Sequence, residues 1–473
     1  MGLRVINKSI LPPILLYVFL FLFFLLFWFF VEPEPKLIIV SVYAFISIGL
    51  TIWKKNFLIS ALSGFFLFLP FNITFLLPID KSQAFASGIY VNYLAPVLTI
   101  TDITVIFLLF SLLLHSRRAV KDKTFLIILL SMALYVVYHY VLNPDINVLV
   151  QTVRVVVYLS AVLLVIDDFQ QIFSNIFTHK KQFILISLLS VIIQLSVSIF
   201  QIQRGNFVGL SALGESMVTT SFVDASTLVI DGNIFLRAYG TFPHPNVLAG
   251  YSFLISLIFF RVILFEKFNL LNYFVFVLSS FTVLITFSQS AFIFYLFGIL
   301  ILCFFRYRKP KRLYKNFLSR ERFPAIFLFV ELLLPEKRSV DERISLFSAS
   351  VGYLKENFLL GVGNGNFTRS FYEFAPLGAS GMTIMQPVHN IFMLFLIENG
   401  VILSIIILAI TLLAIYKKFK RCEWDELSIL SIFFIFVIGS VDHYLLSLPQ
   451  GLAIFSILLV LLFRRTDKQI TKV

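Results

Sequence analysis

The side chains best suited to proton transfer in this sequence are three histidines at the ends of apolar runs. His244 lies in RAYGTFPHPN, His389 lies in QPVHN, and His443 follows Asp442 just after another run. A neutral imidazole accepts a proton near physiological pH, so a histidine held beside a hydroxyl group acts as a general base. The three histidines predict a site where helix ends meet, with Asp442 as a further candidate.

Arg237 and Arg343 are the arginines best placed to add positive charge to such a site. Guanidinium groups bind phosphate oxygens through two parallel hydrogen bonds. Arg237 precedes the PHPN turn, and Arg343 opens a long polar segment. For Arg343 the sequence leaves an alternative open, which is an ion pair with its neighbours Glu342 or Asp341.

Arg154 lies inside an apolar run, in QTVRVVVY. A charged side chain within the membrane is costly, and it indicates a functional site by default. The structural alternative is an ion pair with Asp102, which stands near the end of another run.

The segment GVGNGNF at 361–367 resembles a phosphate-binding loop only superficially, because it lacks the following Lys-Ser/Thr. We interpret its glycines as residues that permit a tight backbone turn near the site. The sequence has no HExxH motif and no Cys/His cluster, so we predict neither a metal nor another cofactor.

Composition places the chain in the membrane. It has 473 residues, of which 59% are hydrophobic and 13% are charged, whereas soluble domains carry about 25% charged residues. The net charge of +13 is assigned to loops that orient the spans and not to nucleic-acid binding. The two cysteines, Cys303 and Cys422, do not indicate a disulfide framework.

A spanning helix needs about 20 apolar residues, and the apolar runs predict an all-α polytopic membrane protein with about 12–14 transmembrane helices. The first run is interpreted as a retained span because it is too long for a signal peptide. The runs lie near 14–31, 37–53, 57–79, 96–114, 125–142, 147–166, 183–200, 247–265, 270–287, 289–305, 323–334, 390–416, 427–441 and 451–463.

The basic residues predict the orientation of these spans. With the N-terminus inside, the basic clusters at 54–55, 117–123, 306–322, 417–421 and 464–472 all fall inside, as cytoplasmic loops should. The whole chain is then one integral membrane domain. Two long loops, 201–246 and 335–388, are predicted on the outer face.

Helix length constrains the position of His389. An uninterrupted helix from His389 to Tyr416 would be about 42 Å long, whereas the hydrocarbon core is about 30 Å thick. Either Glu398 lies at the edge of the core and His389 projects above it, or the helix breaks at Asn399-Gly400. Both alternatives place His389 at the height of the lipid headgroups, on the outer side.

Several of these segments, taken in order, resemble the O-antigen ligase/polymerase superfamily, which includes Wzy-type polymerases and protein O-oligosaccharyltransferases. The resemblance extends over about 237–463, and the first spans are similar in hydropathy alone. The segments that carry it are RAYGTFPHPNVLAGY, TFSQSAF, DERISLFSASVGYLKENFLLGVGNGNF, QPVHNIFMLFLIENG and DHYLLSLPQG.

The resemblance implies a GT-C-type glycosyltransferase of the bacterial cytoplasmic membrane, active on its outer face without a metal. The donor would be a glycan on undecaprenyl pyrophosphate, and the acceptor a hydroxyl of a glycan, lipid or protein. The other partners expected are membrane lipids and a chain-length regulator, with no nucleic acid.

By position in the motifs, His389 matches the essential histidine of the family, and Arg237 and Arg343 match its essential arginines. We predict these three as catalytic. The substrate-binding candidates are His244, Asn246, Asn390, Arg154, Asp442 and Glu398.

The alternative function is a transporter or flippase of lipid-linked oligosaccharide or of a small solute. A buried arginine and discontinuous spans are also found in transporters. A transporter places its polar groups near the midplane, whereas here they are predicted at the outer surface, which favours the enzyme.

Overall fold

The structure is a computed structural model. It describes residues 57–77, 85–86, 89–90, 94–115, 123–222, 225–230, 232–266, 269–307, 337–378, 383–421 and 423–464. The predicted spans near 14–31, 37–53 and 323–334 lie outside the described residues.

The described residues form fifteen helices, numbered here in chain order. They are α1 Phe57–Phe68, α2 Ile100–His115, α3 Lys123–Leu142, α4 Ile146–Asp167, α5 Phe169–Thr178, α6 Lys180–Arg204, α7 Pro245–Phe265, α8 Leu270–Ile285, α9 Gln289–Tyr307, α10 Lys337–Glu356, α11 Phe367–Ser370, α12 Ile391–Lys420, α13 Glu426–Val441, α14 Tyr444–Ser447 and α15 Pro449–Phe463.

Five of these helices, α4, α6, α7, α9 and α12, are long and apolar enough to cross a membrane. Six shorter apolar helices accompany them, comprising α1, α2, α8, α13, α15 and the Leu126–Leu142 part of α3. The protein is an all-α polytopic membrane protein, as predicted. The full number of spans stays a prediction.

Short strands interrupt two of the predicted runs. The run near 57–79 ends as a helix at Phe68, and the run near 96–114 becomes helical only at Ile100. Proline cannot donate the backbone hydrogen bond that a helix interior requires, and Pro70 and Pro96 stand in these two stretches. The strands β1 (Thr74–Leu76) and β4 (Val97–Thr99) form an antiparallel pair there.

Two more hairpins complete the strands of the described residues. Strand β2 (Phe85–Ala86) pairs with β3 (Ile89–Tyr90), and β5 (Thr227–Ile230) pairs with β6 (Asn233–Leu236). The β5–β6 hairpin lies within the predicted loop 201–246 and leads directly to Arg237.

Helix α7 is at the centre of the helical core. It packs against α8, α9 and α15, and most of its residues are buried. Its small residues allow close approach, since a Cβ built on Gly250 would lie 2.2 Å from the Tyr444 hydroxyl. A helix that is apolar on all sides is expected to be buried in this way.

The predicted loop 335–388 contains the twenty-residue helix α10. The inner face of α10 contributes Leu346 and Tyr353 to a second apolar cluster, separate from the main core. Phe367, Phe371 and Val388 complete it from the same segment, together with residues of α12. The segment thus has its own packed core beside the helix that follows His389.

Candidate functional site

Three helix ends meet at the candidate site. Helix α7 begins after His244, whose Nδ1 accepts a hydrogen bond from the Asn246 backbone at 3.2 Å. Helix α12 begins after Asn390, whose Oδ1 accepts from the backbones of Phe392 and Met393. Asparagine is favoured at helix N-caps because its side chain satisfies the first free N–H groups.

Asp442, at the C-terminal end of α13, joins these helices. Its Oδ2 accepts a 2.7 Å hydrogen bond from Asn246 Nδ2, and its Oδ1 accepts from the His443 backbone at 2.8 Å. His389 Nδ1 lies 3.9 Å from Asp442 Oδ1. Asn390 Nδ2 donates to the Ser440 carbonyl at 3.2 Å, so the start of α12 is also tied to the end of α13.

Arg237 and Arg343 approach the same group from two other elements. Arg237 Nη2 donates to Asn246 Oδ1 at 3.0 Å, and its Nε donates to the Thr286 carbonyl at 2.9 Å. Arg343, on α10, donates from Nη1 to the Val441 carbonyl at 3.2 Å.

Within the described part of the chain, no carboxylate forms a salt bridge with either guanidinium. The expected alternative, Arg343 paired with Glu342 or Asp341, is not what these contacts show. Two closely placed guanidinium groups without a paired carboxylate are suited to binding an anion.

Electrostatics in the cluster keep His389 neutral. Burial lowers the pKa of His389 to about 3, and the positive charge of His443 and Arg343 acts in the same direction. Burial likewise lowers the pKa of His244 to about 3 and that of Arg237 to about 10.

The pKa of Asp442 is lowered, although burial by itself would raise it. Desolvation alone would raise the pKa of its carboxyl. At acid pH, where His389, His443 and His244 are protonated, their charges together with that of Arg343 outweigh that effect and hold the pKa of Asp442 well below its usual range. At neutral pH the site therefore combines an ionised carboxylate with neutral imidazoles.

The structure adds His443 to the predicted residues. The sequence grouped it with His244 and His389 but gave it no role. Its ring centroid lies 5.0 Å from that of His389, and its Nδ1 lies 2.6 Å from Ser447 Oγ. The Asp442-His443 pair between two apolar runs was the available signal.

His389, Asp442 and His443 also place one potential metal-ligand atom each within 4.8 Å of one another. The sequence gave no sign of such a cluster, because His389 is far from the other two along the chain. Two imidazoles and a carboxylate are a donor set that zinc accepts. The neighbouring guanidinium groups of Arg237 and Arg343 repel a cation and so make binding of a metal ion between these three residues less favourable.

Two glutamines of α6 hold the segment that follows Arg237. Gln201 accepts from the Tyr239 and Gly240 backbones at 3.0 and 2.8 Å, and Gln194 accepts from the Thr241 backbone at 2.9 Å. The glutamines are seven residues apart, which puts them on one face of the helix. A Cβ on Gly240 would lie 2.4 Å from Gln194 Oε1, so this contact requires glycine.

Helix α12 breaks at Gly400, which has φ 72° and ψ 167°. Of the two alternatives for His389, the structure shows the broken helix. The break frees backbone groups, and the preceding polar segment satisfies them. Val362 and Gly363 donate to the carbonyls of Ile397 and Glu398, both at 3.0 Å.

The glycines of this turn permit the contact. A Cβ on Gly361 would lie 2.4 Å from the Gly400 nitrogen, and a Cβ on Gly400 would lie 2.4 Å from the Leu359 carbonyl oxygen. Both residues have a positive φ. Gly363 and Gly365 also have a positive φ, so the glycines of 361–367 form the tight backbone turn that the sequence predicted.

Glu398 lies two residues before the break in α12 at Gly400. Its carboxylate lies close to the backbone N–H groups of Gly365 and Phe367. It lies nine residues after His389, which is about 13 Å along a helix. These contacts tie the glycine turn to α12. A role for Glu398 in substrate binding stays a prediction.

Arg154 forms the predicted structural ion pair with Asp102. Its Nε and Nη2 lie 2.8 and 2.9 Å from the two carboxylate oxygens. Nη2 also donates to the Val97 carbonyl, and Nη1 donates to Gln151. This bidentate pair explains the buried charge by structure, and substrate binding by Arg154 stays a prediction.

Comparison with known proteins finds a family match in the middle of the chain. Residues 274–408 match the family model described as O-Antigen ligase, and this supports the O-antigen ligase/Wzy-type superfamily. The match includes Arg343, the glycine turn, His389 and Glu398, and spans less than a third of the sequence. No curated protein and no solved structure matches the chain.

The junction at Gly400 gives a stability prediction. Gly400→Ala should lower the thermal midpoint of the purified protein, because only glycine readily adopts this backbone conformation and because the Cβ would clash with Leu359. The strain alone is of order 1–3 kcal/mol. Gly352→Ala on α10 is the matched control, since its Cβ would meet nothing within 4 Å. Equal midpoints for the two variants would contradict the role of Gly400.

Proposed function

We propose that this O-antigen ligase/polymerase-type membrane enzyme transfers a glycan from undecaprenyl pyrophosphate to an acceptor hydroxyl. The observation that carries the proposal is the meeting of His389, Arg237 and Arg343 around Asp442. These residues come from three distant parts of the sequence: the segment after β6, helix α10 and the turn that precedes α12.

The two arginines would bind the pyrophosphate of the donor. Both guanidinium groups are partly buried, and electrostatic attraction is stronger in such a setting than in water. As the bond between the anomeric carbon and the phosphate oxygen breaks, negative charge grows on the leaving pyrophosphate. Guanidinium groups fixed at that position stabilise the transition state more than the ground state.

His389 would accept the proton of the acceptor hydroxyl while the hydroxyl oxygen attacks the anomeric carbon. Asp442 Oδ1 lies 3.9 Å from His389 Nδ1, beyond hydrogen-bond distance, and its negative charge would favour the tautomer with the proton on that nitrogen. Nε2 is then the proton acceptor, as in other carboxylate–histidine pairs. A single direct displacement of this kind inverts the anomeric configuration.

The remaining predicted residues would orient these groups. Asn246 bonds both Arg237 and Asp442, so it sets the distance between a phosphate-binding group and the carboxylate. His244 begins α7 and lies 3.0 Å from Ser226 Oγ through Nε2. Asn390 holds the start of α12 immediately after His389. These contacts support positioning roles.

For the location of the enzyme, we propose the bacterial cytoplasmic membrane with the site on the extracytoplasmic side. The distribution of basic residues supports that orientation. The segments 201–246 and 335–388 would then be the two long outer segments of a single integral domain. A chain-length regulator remains a proposed partner.

A buried arginine was one reason to consider a transporter. Because Arg154 has a structural partner in Asp102, its burial no longer favours that function. The break in α12 is a feature shared with transporters, but here a turn of the same chain occupies it. The enzyme is therefore the function that the contacts support best.

The first test replaces the proposed base. His389→Asn should reduce transfer by about 10²–10⁴-fold, the usual contribution of a general base, without loss of membrane insertion. His179→Asn, between α5 and α6 and away from the cluster, is the control and should retain activity. Transfer would be measured in detergent with a lipid-linked glycan donor. Full activity of His389→Asn would remove the mechanism, and activity in detergent also separates an enzyme from a flippase.

The second test concerns pH. Because burial lowers the pKa of His389, the imidazole stays neutral where an ordinary histidine becomes protonated. The kcat/KM for transfer, which reports the free enzyme, should show no loss centred near pH 6.5 and should fall only as the pH approaches the His389 pKa of about 3. A clear inflection near 6.5 would indicate that the base is exposed in the free enzyme.

The third test concerns metal. We propose that transfer is metal-independent, because Arg237 and Arg343 supply the positive charge that a metal would otherwise provide. Treatment with EDTA should leave the rate unchanged. Loss of activity on chelation, with recovery on adding Zn²⁺ or Mn²⁺, would instead assign a metal to His389, Asp442 and His443.

A further inference from the structure

Helix α10 presents three different surfaces along its length. One surface is buried against the second apolar cluster through Leu346, Ser350 and Tyr353. Arg343 lies beside this surface and reaches the candidate site. The opposite side of the helix faces away from the site.

The outward half divides lengthwise into an apolar strip and a polar strip. Helical spacing places residues that are four, seven and eleven positions apart on one side. The apolar strip consists of Val340, Ile344, Phe347 and Val351, and the polar strip consists of Asp341, Ser345, Ser348 and Glu356. Ile344 is 61% exposed and Phe347 is 41% exposed.

A second exposed apolar group, the turn 358–360, follows shortly after the end of α10 at Glu356. Phe358, Leu359 and Leu360 are consecutive, and each is at least 46% exposed. Such a run on a water-facing loop would be unfavourable, because each buried CH₂ contributes about 0.8 kcal/mol. Contiguous apolar patches of this kind mark surfaces that something covers.

The turn 358–360 is continuous with the apolar surface of a candidate span. The backbone of Val401 donates to the Phe358 carbonyl at 2.8 Å, which places the turn against α12. The adjacent residues of α12, Ile402, Ile405 and Ile406, are each at least half exposed. On its other side, the Leu360 carbonyl accepts a 2.7 Å hydrogen bond from the Tyr138 hydroxyl of α3.

The exposed faces of α3 and α12 are those that an all-α membrane protein turns to lipid. We propose that the apolar strip of α10 and the turn 358–360 lie in the membrane, at the headgroup and upper acyl level of the leaflet nearest His389. The polar strip then faces water. An apolar strip alongside a polar one is the pattern of a helix lying in the membrane interface.

This placement refines the setting of the segment 335–388, which the sequence predicted as a long loop on the outer face. Arg343 and Ile344 are neighbours on the helix, one directed to the site and the other to lipid. If the proposed function holds, the pyrophosphate of a lipid-borne donor reaches Arg343 without leaving the headgroup layer. The membrane contact itself does not depend on that function.

The test uses single-cysteine variants of the full chain in lipid nanodiscs. Cys303→Ser and Cys422→Ser remove the native thiols, and Phe347→Cys or Leu359→Cys then carries an environment-sensitive NBD label. Ser345→Cys is the matched control, because it is exposed on the same helix in the polar strip. Each label is exposed to a lipid with a shallow doxyl group and, separately, to aqueous iodide.

The labels at 347 and 359 should be quenched several-fold more by the doxyl lipid than the label at 345, and iodide should show the reverse order. Equal iodide quenching at all three positions would place the surface in water and overturn the proposal. Protection of 347 and 359 from both quenchers would also overturn it, since a protein partner or a second copy would then cover the surface. None of these readouts requires transfer activity, so they remain informative if the proposed function fails.

Discussion

The buried carboxylate of Asp442 is the charge on which the arrangement of the site depends. A carboxylate removed from water is strongly destabilising unless hydrogen bonds and positive groups compensate for it. Here Asn246 donates to one oxygen, and a backbone N–H donates to the other. Because Asn246 also accepts from Arg237, the carboxylate, the amide and the guanidinium are held as one unit. The same unit fixes the start of α7 against the end of α13.

A second constraint is the need to satisfy the backbone inside a membrane protein. A break in a spanning helix exposes N–H and C=O groups that lipid cannot hydrogen-bond, so irregular backbone is tolerated only where protein covers it. The segment before His389 covers the break at Gly400 with its own amides and carbonyls. The glycines are needed because the two backbones approach more closely than a Cβ permits. The segment 335–388 therefore satisfies the backbone groups freed by the break in α12, and it also positions Arg343 at the site.

The sequence predicted the parts of this structure that depend on local composition. Hydropathy located α3, α4 and α6 through α9 within a few residues, because each span has to be apolar over its own length. The motifs also brought together His244, His389, Arg237 and Arg343. Hydropathy missed α10, because its buried face consists of a few spaced residues such as Leu346 and Tyr353 within a polar sequence. It also missed the strand pair β1–β4, since pairing between distant segments leaves little local signal.

Other features depend on partners that a single sequence does not reveal. Arg154 was compatible with a functional site or an ion pair, and the choice depended on whether Asp102 lay opposite it. His443 had no assigned role, because its relevance comes from the distance between its ring and that of His389. Helix length alone allowed a projecting α12 or a broken one, and the available backbone of 358–363 decides between them.

Helix α10 is involved in both constraints, because it carries Arg343 to the buried carboxylate and leads into the turn that satisfies the broken backbone at Gly400. Arg343 reaches a cluster in which burial keeps imidazoles neutral and cationic neighbours keep a carboxylate ionised. Helix α10 brings Arg343 to the site, where it donates to the Val441 carbonyl. The glycine turn that follows α10 packs against α12 at the unusual backbone of Gly400. The backbone at Gly400 therefore helps to hold the segment that carries Arg343 against the helix that begins after His389.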